Sequence, residues 1–509
     1  MIKIRNFRTL ARAEYHEMFV EDGLFASDPI PAQVDLMGET EVDCGGKILL
    51  PGFIDSHCHF LPTGLDLLKL NLTACSTREE ILDAVRDRHQ SQPESWLLAV
   101  QYDHNKFADG EHLSMVELDA ISSSRPILLR HYNGHCSVAN SVAFAMAGVT
   151  EETPNPSGGE FGRDAGGRLS GVATEDAHEV LWAATPMPSL DEMVEAIMKA
   201  GDKMADLGIT TASDMMTGRF HLLNEFQAYQ IAAARGCRVR TRLYVQWKEV
   251  FGPRGIGLDQ FRELEATFTD PNRTRVSGIK LFADGAIGSA TAAIYGSYSG
   301  HPAPGPVISK NGKNTTQQGT SGQLIYAPEK LNAMTKTASD AGYQVAVHAI
   351  GDYAVDLVMN AFEATGRAVD HRLEHAMILS DPQISRLQAL DCFVTFQPEF
   401  LHRFGHVYKR QLGPKVASKL NRVNSAINAR LKVSLSSDRP IVPGNPMDGI
   451  RTAVRRPEGF VQDENITLDE AILGYTVRGA EVNGDSGLMG SLKRGELADY
   501  QLVEPTFAD

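Results

Sequence analysis

The chain has 509 residues, 42% hydrophobic and 22% charged, the balance of a globular protein with room for a large core. Its 49 basic and 64 acidic residues leave a net charge of −15, which argues against a nucleic-acid partner, since that needs clustered Lys and Arg. No run of about 18 apolar residues and no signal-type leader is found, so a cytoplasmic protein with no membrane partner is expected.

Residues 1–47 are short, β-prone and rich in turn formers. The segment 48–60, ILLPGFIDSHCHF, then reads as a buried strand ending in a run of potential ligands. Seven further β-rich segments follow at 208–216, 239–247, 276–285, 343–352, 371–379, 392–400 and 431–440. Helical patterns separate them, so βα units on a parallel sheet are expected, and eight such strands define a (β/α)8 TIM-like barrel over 48–464.

One spacing breaks the repeat. Residues 61–200 are far more than a βα unit of about 30 residues needs, so they read as an insertion. Within it, TREE (77–80) is a capping-box pattern opening a helix, and WLLAVQYD (96–103) and PILLRHYNG (126–134) read as strands. The Gly- and Pro-rich stretch 153–171 reads as loop or hairpin. An insertion after the first strand leaves from the barrel end where active sites lie, so a lid is expected.

Residues 301–322 form a long polar loop, expected to be mobile. Near the C-terminus, TLDE (467–470) caps a helix and 490–504 reads as a hairpin. The ends, 1–47 and 465–509, are expected to pair into one small β-sandwich domain. The six cysteines, Cys44, Cys58, Cys75, Cys136, Cys237 and Cys392, form no Cys-x-x-Cys pair and read as free thiols.

Side chains alternate faces along a strand. That alternation puts Phe53, Asp55, His57 and His59 on one face and Ile54, Ser56 and Cys58 on the other, so His57 and His59 offer two imidazoles to one cation while Cys58 turns away. Later strand ends carry Lys280, His348, His375 and Asp438. In the eighth strand Ser434, Ser436 and Asp438 share a face. Four histidines, an aspartate and a lysine at one barrel mouth suit Zn2+ and similar ions. The plain alternative for Lys280 is an unmodified lysine paired with Asp284, four residues along. His135, Tyr102 and Asp103 in the insertion, with Asp284 and Gln397 at strand ends, are candidates for touching a substrate.

These residues lie in PGFIDSHCHF, NGHCSVANS (133–141), TPNPSGGEFGRD (153–164), IKLFADGAIGS (279–289), VHAIGD (347–352), LEHA (373–376), SSDRP (436–440) and GSLKRGELAD (490–499). In that order and over nearly the whole chain, they resemble the amidohydrolase superfamily, in particular the YtcJ-like and N-substituted-formamide-deformylase-like branch of amidohydrolase family 3. The resemblance implies a divalent metal centre, usually zinc, of one or two ions. His57 and His59 would bind one ion, and His348 and His375 the other. Lys280 matches a lysine that carries a CO2-derived carboxylate bridging two ions, and Asp438 matches the aspartate that moves the proton of the attacking water. The expected activity is hydrolysis of a non-peptide C–N bond in a small molecule, with a linear N-acyl or N-formyl amine first. A cyclic amide or lactone hydrolase, a deaminase, or a metal-free regulatory protein on the same scaffold are the alternatives. A homodimer is expected at family level.

Overall fold

In the computed structural model of the protein, the eight β-prone segments become eight parallel strands, each hydrogen-bonded to the next. They are Phe53–Cys58, Ile209–Thr217, Arg240–Gln246, Thr274–Phe282, Gln344–Ala349, Arg372–His375, Phe393–Phe396 and Lys432–Leu435. The structure describes the chain except residues 11, 32–39, 93–95, 133, 135, 157–158, 300–306, 309–318 and 508–509. The expected mobile loop at 301–322 therefore lies largely outside the described residues.

Among the described residues, the strand ladder runs from the first strand to the eighth without a pairing between those two. Just beyond the strand ends the chain closes the gap. Asp438 N–H donates to His57 O at 2.7 Å and His59 N–H donates to Arg439 O at 2.8 Å. The Asp55 carboxylate adds to this seam by accepting from Ser437 N–H at 2.9 Å.

Inside the barrel the lower layer is polar yet satisfied. The fully buried Arg372 guanidinium donates to Ser56 O at 2.7 Å, Thr395 Oγ1 at 3.1 Å, Tyr244 OH at 3.1 Å and Asn483 Oδ1 at 3.2 Å, and it pairs with Glu374. A buried charge without such partners would be very costly. A second fully buried pair, Arg242 with Asp485 at 2.8 Å, ties the start of the third strand to the chain near residue 485.

The first strand departs from simple alternation. Its pairing with the second strand shifts register between Ile209 and Thr211 and again between Ala212 and Asp214. Ile54 packs with Ala480 and Met489, and Ser56 bonds Ser434 across the interior. Phe53 and Asp55 turn instead to Tyr475 and Ser437. The expected shared face of Phe53, Asp55, His57 and His59 is thus corrected: a bulge after Asp55 brings His57 inward.

The chain ends share a separate seven-stranded sheet, in which Tyr500–Val503 pairs antiparallel with Ile48–Pro51 and Ile2–Thr9 pairs with Arg12–Glu21. Its core holds Ile4, Phe7, Met18, Val20, Phe25 and Leu49. Ile48–Pro51 therefore belongs to this sheet and not to the barrel, where it was expected. Gly52 separates the two roles, because a Cβ there would lie 2.2 Å from Thr210 Oγ1. Two further corrections concern the C-terminal part. The helices Leu468–Gly474 and Val477–Val482 pack on the first or eighth barrel strand and not on the end sheet, and only Tyr500–Val503 of the expected 490–504 hairpin is a strand.

Residues 61–200 form a second compact unit. Its six-stranded sheet runs in the order Gly159–Arg163, Leu169–Glu175, Cys136–Ala139, Ile127–His131, Leu97–Tyr102, Leu70–Asn71. Alternate residues of one strand feed two cores: Leu128 packs with Phe144 and Phe161, whereas Ile127 and Leu129 pack with Ile81 and Val85. Each such side chain contributes about 1.5–3 kcal/mol on burial. Thr77 and Glu80 close the reciprocal capping box that starts the helix Arg78–Ser91. All six cysteines are free, and no described helix is long and apolar enough to cross a membrane.

Candidate metal centre

The C-terminal ends of the barrel strands gather the chemistry. His57 ends the first strand, Lys280 and His348 lie near the ends of the fourth and fifth, His375 ends the sixth, and Asp438 follows the eighth. His375 (φ +76°) and Asp438 (φ +60°) both adopt a left-handed backbone that non-glycine residues avoid. Such strain of about 1–3 kcal/mol per residue persists where surrounding structure enforces it, often at functional sites.

Three imidazoles are pinned from behind by one nitrogen. His57 Nδ1–H donates to Glu374 Oε2 at 2.5 Å, His375 Nδ1–H donates to Gln397 Oε1 at 2.7 Å, and His348 Nε2–H donates to Gly285 O at 3.0 Å. The other nitrogen of each ring is left for a second partner, as in metal sites whose outer hydrogen bonds fix the tautomer. His57 Nε2 lies 3.3 Å from Asp438 Oδ1, and His59 Nε2 lies 2.9 Å from the same oxygen. The ligand atoms of His57, His375 and Asp438 all fall within 4.8 Å of one another. The His348 and His375 rings are 4.4 Å apart, and those of His57 and His375 4.7 Å.

Lys280 is 1% exposed, and its Nζ has no hydrogen-bond partner among the described residues. Burial lowers its pKa to about 8. Asp284 does not pair with it. The Asp284 carboxylate instead accepts from Ala293, Ile350 and Gly351 N–H at 2.9–3.0 Å. That corrects its expected substrate role: it holds together the loops after the fourth and fifth strands. Burial raises it to about 7 against those donors.

Burial, followed by the nearby Lys280, pushes His348 down to about 3, and burial beside His348 and His57 pushes His375 down as well. Both are therefore neutral, the form in which imidazole binds a metal. Burial alone would raise Asp438 and Glu374. His57 and His59 hold Asp438 well below the usual carboxylate range, and Arg372 and His57 do the same for Glu374. Four imidazoles, one ionised carboxylate and an orphaned buried amine fit a divalent transition ion.

Other expected contacts fall elsewhere. Gln397 is fully buried between His375 and Ser436, whose Oγ accepts from its Nε2 at 3.0 Å, so it orients a histidine and does not line a substrate surface. Tyr102 is fully buried in the core of the second unit, where its hydroxyl accepts from Leu113 N–H at 2.9 Å. It is a packing residue, not the substrate contact expected. Asp103 caps the short turn His104–Lys106 by accepting from Asn105 N–H at 3.1 Å. His135 lies outside the described residues. Sequence reasoning missed Glu374 and Arg372. Their one signal was a charged pair two residues apart inside the apolar run HRLEHAMIL.

A parallel barrel whose strand ends carry this donor set defines a class, and the sequence comparison agrees: the chain belongs to the amidohydrolase family, whose profile matches residues 40–509. Protein LONG AFTER FAR-RED 3 of Arabidopsis thaliana is 30% identical over 493 residues, covering 92% of this chain and 79% of that protein. The N-substituted formamide deformylase of Arthrobacter pascens is 26% identical over 490 residues, covering 91% of this chain and 84% of that enzyme. Among solved structures, an uncharacterized metal-dependent hydrolase from Pyrococcus furiosus matches with a TM-score of 0.79 at 23% identity over 100% of both chains, a likeness of fold.

Proposed function

We propose that this protein is a metal-dependent hydrolase of a linear N-acyl or N-formyl amine. The observation that carries the reading is the convergence of His57 Nε2 and His59 Nε2 on Asp438 Oδ1, at 3.3 and 2.9 Å. The orphaned amine of Lys280, coupled electrostatically to Glu374 and Asp438, supports it, as does similarity to a relative named for deformylation of N-substituted formamides.

His57, His59, His348, His375 and Asp438 would hold one or two divalent ions, zinc being the best match to imidazole and carboxylate donors. Lys280 would join them as a carbamate, because a neutral amine can take up CO2 and an ammonium would repel a cation. When bound, such an ion supplies Lewis acidity, which acidifies water and polarises a carbonyl.

The protein's own part is proton handling and orientation. The Asp438 carboxylate, ionised at neutral pH, accepts the proton of the attacking water as its oxygen bonds to the acyl carbon. It then returns that proton to the departing nitrogen as the C–N bond breaks. Products are one carboxylic acid and one amine. Glu374, Gln397 and Gly285 O keep the imidazoles aimed throughout.

The test is hydrolysis of a panel of N-formyl and N-acyl amines, lactones and cyclic imides by zinc-loaded protein, followed as acid release for every substrate and as amine release for the linear amides. Equal amounts of acid and amine from the linear amides are expected, with Asp438→Asn retaining metal and losing turnover. Turnover confined to lactones or cyclic imides would replace the linear-amide reading. Full activity in Asp438→Asn would refute the proton path.

A further inference from the structure

The second unit contains another group of donor atoms, separate in sequence from every barrel ligand. Asp103 and His104 directly follow the strand Leu97–Tyr102, and His131 ends the neighbouring parallel strand Ile127–His131, paired with Tyr102. One ligand atom from each of the three residues falls within 4.8 Å of the others.

We propose that Asp103, His104 and His131 form a second metal site, for a single divalent transition cation of the zinc type. His104 Nδ1 and His131 Nε2 are 3.2 Å apart. Two nitrogens bound tetrahedrally to one zinc at 2.0–2.1 Å stand about 3.3 Å apart. His131 Nε2 lies 3.8 Å from Asp103 Oδ1, too far for a hydrogen bond but within reach of a shared cation.

The surroundings hold these groups in place. Asp103 Oδ1 accepts from both Asn105 N–H and Asn105 Nδ2–H, at 3.1 and 2.9 Å, which fixes the carboxylate. The His112 ring stacks on His104 with centroids 3.6 Å apart and planes at 25°, and Tyr102 meets His131 edge-on at 5.9 Å. His112 is thus a positioning residue for His104. Its Nδ1 is buried without a hydrogen-bond partner among the described residues.

A purely structural cluster accounts for less. One shared proton explains the His104–His131 contact and the Asn105 donors explain the Asp103 cap, but the His112 nitrogen stays buried without a partner among the described residues. A cation between the two strand ends accounts for the converging donors, and three protein ligands leave a further coordination position for water.

The site is independent of the barrel reading, and the experiment keeps the two apart. Full-length protein with all four barrel histidines replaced (His57→Ala, His59→Ala, His348→Ala and His375→Ala), stripped of metal, is titrated with Co2+ and followed by its visible absorption. About one equivalent should bind with tetrahedral-type bands, Asp103→Asn in that background should weaken binding at least about tenfold, and His131→Gln should abolish it. Because His131 is buried, the half-buried, isosteric Asp103→Asn change carries the test if His131→Gln unfolds. In the otherwise unaltered chain, His104→Ala should lower total bound zinc by about one equivalent. Binding below about a tenth of an equivalent in the protein lacking the four barrel histidines, or identical titrations with and without Asp103→Asn, would overturn the proposal.

Discussion

Glu374 holds His57 from behind, accepting from its Nδ1–H at 2.5 Å while both residues are almost completely buried. The same carboxylate pairs with Arg372, whose remaining donors reach Ser56, Thr395, Tyr244 and Asn483. The ligand-bearing rim and the polar lower layer of the barrel are therefore one connected network.

Replacing Glu374 with Gln should act on both. Metal affinity should fall by about 10- to 100-fold, since the variant no longer holds His57 with a charged acceptor. Stability of the metal-free protein should fall by about 3–5 kcal/mol, because Arg372 is left buried without a counter-charge. Calorimetric titration and denaturant unfolding measure the two, and unchanged metal affinity would show that Glu374 is only a partner for Arg372.

Lys280 gives a chemical prediction with a pH direction. Its pKa of about 8 means that the neutral, CO2-reactive amine grows as pH rises through that value. Loading zinc under 13CO2 at fixed pressure should give a carbamate carbon signal that appears faster at about pH 9 than at about pH 7. Lys280→Met should give no signal. A signal that survives this change would place the carbamate on another lysine.

Glu225 supplies a stability signature. It is 1% exposed, accepts from Gly218 and Phe220 N–H at 2.7 Å each, and burial raises its pKa from 4.5 to about 7. The folded state then binds more protons than the unfolded state between those values, so this group makes stability fall as pH rises from 4.5 to about 7. Glu225→Gln should flatten that part of the profile. Parallel profiles for variant and parent, by denaturant unfolding across this range, would contradict the assignment.

In the second unit, Thr77→Ala removes the hydroxyl that accepts from Glu80 N–H at 3.2 Å. The cost should be about 1 kcal/mol, concentrated in the helix Arg78–Ser91. Amide exchange should speed up in its first turn while the barrel strands stay unchanged, and a uniform change over both units would show that the box is not a local cap.

The barrel was legible because its strands are apolar runs broken by a few polar residues at their ends. His348 in VHAIGD, His375 in LEHA and Asp438 in SSDRP stand out for that reason, and the structure brings them beside His57. The bulge after Asp55 was not legible, since alternation along a strand says nothing about its pairing with a neighbour. Tyr102 looked like a site residue because polar side chains flank it, yet its ring completes an apolar core. Glu374 was hidden within a motif whose histidine drew attention first. Ile48–Pro51 runs straight into the first barrel strand in sequence, and only the close approach of Thr210 to Gly52 marks the change of sheet.

The seam between the first and eighth strands sets an order of events. His57 and His59 emerge with the first barrel strand, whereas Asp438 and Arg439, which close the barrel against them, emerge only after the eighth. Until that late segment is available, the two histidines lack both the carboxylate they face and the backbone contacts that hold them. A ribosome stalled before residue 438 would carry a chain with most of its strands made and no complete centre. Competence to bind metal in the barrel thus waits until the growing chain has passed its eighth strand.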